Sequence, residues 1–262
     1  MQKVDCKKYA QEVLDKVKAQ KGKKSLAIIT VGNDFASEKY VAGKLKDAEY
    51  CGIETAHLKY ADSLGVTKAV NEAIAELNND RQVSGIIIQL PIPHRIKQWM
   101  IPVSNYKDVD GFNEHSLYLP CTPAGVIHVL SKELDSLQGK TVLIIGRGEL
   151  VGKPLAKLLL ELDCTVTVAH RKTRELDKLL GNYDIIISAA GVPNLVDLEK
   201  CTNAEIVIDV GINRNSEGKL CGDCYNFTDT GEGLKVTTVP GGIGLMTRAM
   251  LMDNVAKSSY LK

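Results

Sequence analysis

The segment Thr141-Val142-Leu143-Ile144-Ile145-Gly146-Arg147-Gly148-Glu149-Leu150-Val151-Gly152 joins an apolar run to a turn that contains three glycines. The run has the length and composition of a buried strand, and a helix is expected to follow the glycines. Glycines let the backbone approach a pyrophosphate, and the N–H groups at the start of the next helix can bind its oxygens. The spacing G-x-G-x-x-x-G is one residue longer than the usual fingerprint. The segment predicts a dinucleotide-binding turn, although an ordinary strand-to-helix turn would look similar.

The residues after the next strand distinguish NADP from NAD. The strand Thr165-Val166-Thr167-Val168-Ala169 is followed by His170-Arg171-Lys172. No acidic residue stands where NAD-binding domains place one for the ribose hydroxyls. Guanidinium groups bind a phosphate with paired, charge-assisted hydrogen bonds, whereas a carboxylate repels it. Arg171, together with Arg147, therefore favours NADP; the alternative is that Arg171 and Lys172 form a solvated surface pair.

Composition indicates a globular, enzyme-sized protein. The chain has 262 residues, of which 44% are hydrophobic and 25% charged, and its formal net charge is +1. The near balance of charge argues against a nucleic-acid partner. No stretch has the apolar core of a signal peptide or the roughly 20 apolar residues of a membrane span. We therefore expect a cytoplasmic protein with no membrane contact.

The seven cysteines predict reduced thiols, because they follow no disulfide framework. Cys221-Gly222-Asp223-Cys224 is a C-x-x-C segment, but no second pair of ligands accompanies it to complete a zinc site. We expect an ordinary turn there and no bound metal.

Strands and helices alternate along the chain, which predicts mostly parallel sheets covered on both faces. The first half begins with a helix from Cys6 to about Ala19 and the strand Ser25–Val31, and Ser37 is expected to cap the next helix. In the second half, Thr122-Pro123 is expected to start a helix with a cap and a proline in its first turn. We predict two α/β domains: residues 1–119 with a C-terminal helix at 245–262, and a Rossmann-like domain at 120–244.

Three features of the first half are candidates for substrate binding. Tyr40 and Lys44 are four residues apart on a predicted helix and share one face. Gln89 ends an apolar strand, and Asp110 lies in a loop with two carboxylates and a glycine. Each feature has an ordinary alternative: an exposed helix lysine, a strand end and a turn former.

These segments resemble signatures of the methylenetetrahydrofolate dehydrogenase/methenyltetrahydrofolate cyclohydrolase (FolD) family. The resemblance covers nearly the whole chain through seven motifs in the family's order: 37–46 (SEKYVAGKLK), 89–93 (QLPIP), 107–112 (KDVDGF), 120–123 (PCTP), 151–154 (VGKP), 209–214 (DVGINR) and 240–244 (PGGIG).

The resemblance implies a bifunctional enzyme of one-carbon folate metabolism, with a link to purine biosynthesis. It would oxidise 5,10-methylenetetrahydrofolate to the 5,10-methenyl form with NADP and hydrolyse that product to 10-formyltetrahydrofolate. By the same resemblance the protein would be a homodimer, with the folate cleft between its two domains and the last helix returning to the first domain. The alternatives are one activity only, another NADP-dependent dehydrogenase on this scaffold, or a binding protein without catalysis.

The resemblance also assigns roles to individual residues. The catalytic residues would be Lys44, Gln89 and Asp110. An ordinary lysine has a pKa of about 10.4, so proton exchange near neutral pH requires a desolvated amine. The folate would bind at Tyr40, Lys44, Gln89, Asp110, Gly241, Gly242 and Ile243. The cofactor would bind at Gly146, Arg147, Gly148, Val151, Gly152, His170, Arg171, Thr173, Gly191 and Ile212.

The chain departs from the family pattern at three places. The segment from Asn113 to Leu119 is several residues shorter than usual. Gly148 stands where the family usually has a serine, which removes a hydroxyl that could contact a cofactor phosphate. Leu245 stands where a proline usually follows the last glycine run. None of these differences removes Lys44, Gln89 or Asp110.

Overall fold

The computed structural model describes residues 1–258, without the side chains at 35 and 36, and divides the chain into two units. The three-stranded unit contains Gln11–Cys121 and the described chain from Arg248 onward, and the six-stranded unit contains Met1–Ala10 and Thr122–Thr247. The end of the predicted C-terminal segment, residues 259–262, lies outside the described residues. Among residues 1–258, no helix combines the length and the apolar character needed to cross a membrane.

The first part of the chain alternates strands and helices as the sequence predicts. In chain order these elements are β1 (Gln2–Lys3), α1 (Cys6–Lys18), β2 (Ser25–Val31), α2 (Phe35–Cys51), β3 (Glu54–Tyr60), α3 (Val66–Asn79), β4 (Gly85–Ile88) and α4 (His94–Lys97).

The second part contains more and shorter elements. They are α5 (Cys121–Glu133), β5 (Thr141–Ile145), α6 (Gly152–Glu161), β6 (Thr165–Ala169), α7 (Leu176–Leu179), β7 (Ile185–Ser188), β8 (Val196–Asp197), β9 (Ile206–Asp209), β10 (Asn213–Arg214), β11 (Leu220–Cys221), β12 (Cys224–Tyr225), β13 (Lys235–Val236) and α8 (Ile243–Lys257). Two short 3-10 helices, Leu180–Asn182 and Leu198–Lys200, follow α7 and β8.

The three-stranded unit is built on a parallel sheet with the order β3-β2-β4. The central strand β2 is apolar and mostly buried, as expected of a strand covered on both faces. Ile29 and Ile86 belong to a core cluster that also receives Val70 and Ile74 from α3. Because all three strands run in one direction, their carboxyl ends meet at one edge, where α2 begins and Gln89 follows β4.

The caps of α2 fix the helix that carries the candidate residues Tyr40 and Lys44. The helix begins at Phe35, and the Asp34 side chain accepts a hydrogen bond from the Ser37 backbone N–H at 2.7 Å. The expectation that Ser37 is the cap is therefore wrong, because Asp34 accepts that N–H one turn earlier. Gly52 ends the helix with φ of 70°, the left-handed conformation that glycine adopts at low cost.

The six-stranded unit has the order β1-β13-β9-β7-β5-β6, and every neighbouring pair in it is parallel. This confirms the predicted α/β class with mostly parallel sheets. Strand β6 lies on one side of β5 and β7 on the other, so the direction of winding reverses between β5 and β7. Ligands of open α/β sheets bind at the carboxyl ends of strands at such a switch point.

The structure differs from the sequence interpretation at three element ends. Strand β1 pairs with β13, so Met1–Ala10 belongs to the six-stranded unit rather than to the three-stranded unit. Helix α5 begins at Cys121, so Thr122 lies inside its first turn and is not its cap. Helix α8 begins at Ile243, and from Arg248 onward it belongs to the three-stranded unit.

Candidate active site

The three-stranded unit places Lys44 and Asp110 next to each other in a buried environment. Lys44 is 3% exposed and Asp110 is 7% exposed. The Nζ atom of Lys44 lies 4.0 Å from Oδ2 of Asp110 and 5.2 Å from the centre of the Tyr40 ring. The attraction between opposite charges is stronger in a desolvated position than at the surface. Lys44 is thus not an ordinary exposed helix lysine, and the structure brings three of the predicted residues together.

The loop that carries Asp110 is attached to the neighbouring strand. The backbone N–H of Ile86 donates to the carbonyl of Lys107 at 2.7 Å, and Ile86 and Asp108 form a parallel bridge. The Asp108 carboxylate accepts a hydrogen bond from the Asn113 N–H at 2.6 Å. Burial raises the pKa of Asp108, and this hydrogen bond opposes the shift. Asp108 therefore shapes the loop, which leaves Asp110 free to face Lys44.

Gln89 lies just beyond β4 with one side-chain atom unpaired. Its Nε2 atom donates to the carbonyl of Leu90 at 2.8 Å, and its Oε1 atom is buried without a hydrogen-bond partner among the described residues. Gln89 lines a cavity of about 210 Å³ at the carboxyl ends of β2 and β3, which Tyr40 and Lys44 do not line. The structure thus gives Gln89 a free acceptor beside a cavity but no direct hydrogen bond to Lys44.

Two residues that the sequence interpretation missed lie around Asp110. The Cys121 thiol donates to the carbonyl of Val109 at 3.3 Å, and the Asn254 Nδ2 atom donates to the same carbonyl at 2.9 Å. Burial raises the pKa of Cys121 well above its usual value, and the charge of Asp110 adds to the shift. Cys121 belongs to the motif 120–123, so the sequence could have indicated it. Asn254 belongs to none of the seven motifs, and the sequence shows it only as a polar residue in the last helix.

A third missed residue joins α8 to α2. Arg248 lies beside Asp47, with Nε 3.0 Å from Oδ2. Its guanidinium fills the space above Gly43, where an added Cβ would lie 2.9 Å from Cζ of Arg248. Burial raises the pKa of Asp47, and the positive charge of Arg248 opposes the shift. Arg248 therefore contacts α2 immediately before Lys44 and one turn after it.

The glycine turn of the six-stranded unit has the close backbone contacts that a dinucleotide site requires. Gly146 has φ of 121°, and an added Cβ would lie 2.7 Å from the carbonyl carbon of Ala189. An added Cβ on Gly152 would lie 2.8 Å from the carbonyl carbon of Gly146, whereas Gly148 faces open space. Helix α6 begins at Gly152, and no side chain caps it at Val151. The positive end of the α6 helix dipole is therefore available to bind an anion.

The candidate phosphate-binding residues flank this turn. The Gly146 N–H donates to the carbonyl of Ala169 at 2.9 Å, so the turn adjoins the end of β6. His170 and Thr173 close a turn there, because the His170 N–H donates to Thr173 Oγ1 at 2.9 Å. Arg147 and Arg171 are both exposed. The exposed arginines fit a phosphate, and the His170–Thr173 hydrogen bond fixes the loop that carries one of them.

The remaining candidate cofactor residues follow the central strands. Gly191 comes after β7, has φ of 65° and faces open space. Ile212 comes after β9 and is 66% exposed, which is unusual for a large apolar side chain beside a core strand. Both stand at the carboxyl ends of strands, as residues of a ligand site do in such sheets.

The last glycine run also lies in the six-stranded unit. Gly241 has φ of 95°, and an added Cβ on Gly242 would lie 2.5 Å from the carbonyl oxygen of Thr238. The side chain of Ile243 is buried, so only its backbone is available to a ligand. The N–H of Leu245 donates to the carbonyl of Gly242 at 3.0 Å. A proline at this position could not form that bond.

The shortened segment 113–119 is held by its own hydrogen bonds. The Asn113 side chain donates to Asn105 Oδ1 at 2.8 Å, the Ser116 hydroxyl donates to the carbonyl of Asp108 at 2.8 Å, and the Tyr118 hydroxyl donates to the carbonyl of Tyr106 at 3.0 Å. Although it is shorter than in the family pattern, the segment 113–119 therefore forms a hydrogen-bonded loop next to Asp110.

Another NADP-dependent dehydrogenase on this scaffold would need a histidine with an acidic partner near the nicotinamide, and His115 and His170 are the candidates. His115 is exposed, and the His170 Nδ1 atom accepts the backbone N–H of Lys172 at 3.2 Å. Neither ring has a carboxylate partner in the part of the chain that is described. Over residues 1–258, no group of three or more His, Cys, Asp or Glu side chains is arranged to hold a metal ion.

Two family models match the chain, one on each side of residue 115. Residues 4–110 match the catalytic domain of tetrahydrofolate dehydrogenase/cyclohydrolase. Residues 120–262 match the NAD(P)-binding domain of the same enzyme.

The chain is similar to several enzymes over nearly their full length. The bifunctional protein FolD of Campylobacter hominis is 40% identical over 279 residues, covering 99% of this chain and 97% of the relative. The crystal structure of FolD from Campylobacter jejuni has a TM-score of 0.88 at 36% identity, covering 98% of both chains. The Trypanosoma brucei enzyme, solved with NADP and an inhibitor, has a TM-score of 0.86 at 28% identity, covering 96% of this chain and 95% of that one.

Proposed function

The chain belongs to the tetrahydrofolate dehydrogenase/cyclohydrolase family, and we propose that Tyr40, Lys44 and Asp110 form its folate site. The protein oxidises 5,10-methylenetetrahydrofolate to the 5,10-methenyl form with NADP and hydrolyses the product to 10-formyltetrahydrofolate. The observation that carries the assignment of residues is the buried Lys44–Asp110 pair. A buried lysine beside a buried carboxylate is typical of a site that transfers protons.

Lys44 performs the proton transfers of the hydrolysis. Water adds to the methenyl carbon and loses a proton, which gives a carbinol. The carbon–nitrogen bond then opens as the departing nitrogen gains a proton, and the carbinol hydroxyl releases its proton to solvent as the formyl C=O bond forms. The uncharged amine of Lys44 accepts the proton from water, and the resulting ammonium donates a proton to the departing nitrogen. The carboxylate of Asp110, 4.0 Å from Nζ, stabilises the ammonium while it exists.

Asp110 and Tyr40 bind the pterin. The amino group and ring N–H groups of a pterin are donors, and an ionised carboxylate is an acceptor only, so Asp110 matches them. The Tyr40 ring offers an aromatic face beside Lys44 for stacking. The free Oε1 atom of Gln89 is an additional acceptor that orients the substrate or its water. We also propose that the backbone of Gly241, Gly242 and Ile243 contacts the folate.

The six-stranded unit binds NADP. The close backbone contacts at Gly146 and Gly152 fit the first and third glycines of a dinucleotide-binding turn, and Gly148 faces open space where a pyrophosphate can approach the backbone. Arg147 and Arg171 bind the 2′-phosphate, while His170 and Thr173 hold the loop that presents Arg171. Gly148, Val151, Gly191 and Ile212 line the rest of the site. When bound, NADP supplies the hydride acceptor, and removing a hydride from the methylene carbon requires no general base.

The family resemblance also supports three further proposals. The protein is a homodimer, it acts in the cytoplasm, and its product 10-formyltetrahydrofolate serves one-carbon transfers that include purine biosynthesis. We also propose a catalytic domain of residues 1–119 with the helix at 245–262 and an NADP domain of residues 120–244, with the first ten residues of the catalytic domain lying in the six-stranded unit. Light scattering of the purified protein tests the dimer, since a mass near 28.5 kDa would indicate a monomer.

A spectroscopic time course tests the two activities together. Purified protein is mixed with 5,10-methylenetetrahydrofolate and either NADP or NAD, and reduced cofactor, methenyl-folate and formyl-folate are followed separately. We expect reduction mainly with NADP and passage of methenyl-folate to formyl-folate faster than without protein. Accumulation of methenyl-folate would overturn the hydrolysis assignment, and no cofactor reduction would overturn the dehydrogenase assignment.

A further inference from the structure

The segment Cys221-Gly222-Asp223-Cys224 contains a fully buried carboxylate with no role in the reactions derived above. Asp223 is 0% exposed. Its carboxylate accepts hydrogen bonds from the Ser188 hydroxyl at 2.8 Å and from the Asn213 side-chain amide at 2.8 Å. It also accepts three backbone N–H groups, those of Ala190, Gly191 and Val192, at 2.9, 3.2 and 2.9 Å.

These five donors all belong to the carboxyl edge of the six-stranded sheet. Ser188 is the last residue of β7, and residues 190–192 form the loop that follows it. Asn213 follows Ile212 after β9. One carboxylate therefore holds both segments that carry the candidate cofactor residues Gly191 and Ile212.

The same loop contacts the glycine turn. The carbonyl of Ala189 lies against Gly146, where an added Cβ would be 2.7 Å from the carbonyl carbon. A shift of the loop would therefore change the space that the first glycine of the turn provides. The contacts form a chain from Asp223 through Ala190 to Ala189 and Gly146.

Two glycines make room for this arrangement. An added Cβ on Gly211 would collide with the carboxylate of Asp223, and one on Gly222 would collide with the carboxylate of Asp209. Asp209 accepts the N–H of Asp223 at 3.0 Å, which fixes the backbone of Asp223 itself. Within the C-x-x-C segment, Asp223 therefore accepts the hydrogen bonds and Gly222 makes room for the carboxylate of Asp209.

We infer that Asp223 is a positioning residue for the cofactor site, because its carboxylate sets the conformation of the loop 189–192 and of Asn213 beside Ile212. A buried carboxylate is retained at a desolvation cost, which five hydrogen bonds to the charged form offset. The inference rests on the proposed assignment of Gly191 and Ile212 to NADP. It predicts an effect on cofactor binding that is absent from folate binding.

The test compares Asp223→Asn with Asp184→Asn in the full-length protein. Asparagine keeps the shape but turns an NH₂ group toward the donors, which disrupts the loop. Asp184 is the matched control, since it accepts the Thr141 N–H and hydroxyl at 2.7 and 2.8 Å at the opposite ends of β5 and β7. NADPH binding is measured by fluorescence titration, and KM for NADP, KM for the folate and the hydrolysis rate are measured in parallel.

We expect Asp223→Asn to weaken NADPH binding and to raise KM for NADP by about tenfold or more. KM for the folate and the hydrolysis rate should change by less than about twofold. Asp184→Asn should leave NADPH binding unchanged. Unchanged NADPH binding in Asp223→Asn would overturn the inference, as would a fall in hydrolysis in proportion to the loss of NADPH binding.

Ser188→Ala keeps the test decisive if Asp223→Asn fails to fold. It removes one of the five donors and leaves the carboxylate and the three backbone hydrogen bonds. A loss of NADPH affinity of about two- to fivefold is expected, with hydrolysis retained, and no loss would contradict the inference. Wild-type protein that neither binds NADPH nor reduces NADP would overturn the proposed function itself.

Discussion

The Nζ atom of Lys44 and the Oδ2 atom of Asp110 lie 4.0 Å apart with both side chains buried. Removing either partner of a buried ion pair leaves an uncompensated charge, which costs more than removing a surface ion pair. The pair therefore links two tasks, because the carboxylate that binds the pterin also stabilises the charged state of the lysine that moves protons.

Asp110→Asn is expected to impair both reactions. The variant loses the acceptor for the pterin and the counter-charge of Lys44, so KM for the folate should rise by roughly tenfold and hydrolysis should slow by at least as much. Steady-state kinetics with each folate substrate provide the measurement. The control is Asp62→Asn, which removes an exposed ion pair with Arg95 in the same unit and should change neither value by more than about twofold. Equal effects of the two variants would contradict the role of Asp110.

Arg171→Asp is expected to change cofactor preference. The new carboxylate repels a 2′-phosphate and accepts hydrogen bonds from ribose hydroxyls, so KM for NADP should rise by about tenfold or more while KM for NAD changes little. Lys157→Asp makes the same charge change at an exposed site on α6 and serves as the control. A similar change in both KM values for Arg171→Asp would refute the assignment of the 2′-phosphate.

Gly148→Ser is expected to tighten NADP binding. Nothing lies within 4 Å of a Cβ added to Gly148, so the serine is accommodated and gains a hydroxyl for a phosphate oxygen. One such hydrogen bond corresponds to an affinity gain of about two- to tenfold. Gly148→Ala adds the Cβ without the hydroxyl and should bring no gain. If calorimetric titration with NADP gives the same affinity for both variants, the hydroxyl does not contact the phosphate.

Arg248→Met is expected to destabilise the protein in a pH-dependent way. Burial raises the pKa of Asp47 above its usual 3.8. Ionisation of Asp47 therefore lowers the free energy of unfolding as the pH rises through that raised pKa. The positive charge of Arg248 offsets part of this loss of stability. The variant should therefore lose about 2 kcal/mol at pH 7 and less at pH 4, where Asp47 can be protonated.

Urea unfolding at the two pH values measures this difference. Lys257→Met is the matched control, since it breaks the exposed ion pair with Asp253 on the same helix and should cost well under about 1 kcal/mol. An equal loss at pH 4 and pH 7 for Arg248→Met would show that packing, rather than the charge of Arg248, stabilises α2.

The parallel sheets could be predicted because their strands are continuous apolar runs. The strand predicted at Ser25–Val31 has the bounds observed for β2, and Thr141–Ile145 forms β5 before the glycine turn. Strand β1 has two residues, too few to show a period, and it is fixed by its pairing with β13. Local patterns therefore predicted the strands but not the unit to which the first ten residues belong.

Helix ends were predicted less well, for a local reason. Asp34 and Ser37 are both suitable caps three residues apart, and the sequence alone does not decide between them. Thr122-Pro123 resembled a helix start, yet α5 begins at Cys121. A proline is tolerated throughout the first turn, because the N–H groups there have no partner within the helix.

The candidate site was predicted in part. Lys44 and Asp110 are 66 residues apart in the sequence, and their pairing follows from the fold that joins α2 to the loop after β4. Arg248 and Asn254 lie more than 125 residues from the segments they contact, and neither belongs to a local pattern. The donors to the Asp223 carboxylate lie between 10 and 35 residues away in the sequence, so no local pattern indicated its role.

The rate of methenyl-folate hydrolysis in Lys44→Met tests the central claim most directly. Methionine keeps the length and apolar stem of the side chain but cannot exchange a proton. We predict that hydrolysis falls by at least about 100-fold while 5,10-methenyltetrahydrofolate still binds. Lys46→Met, an exposed lysine on the same helix, should retain the wild-type rate. Hydrolysis by Lys44→Met within a few-fold of wild type would contradict the assignment of Lys44 as the group that moves protons.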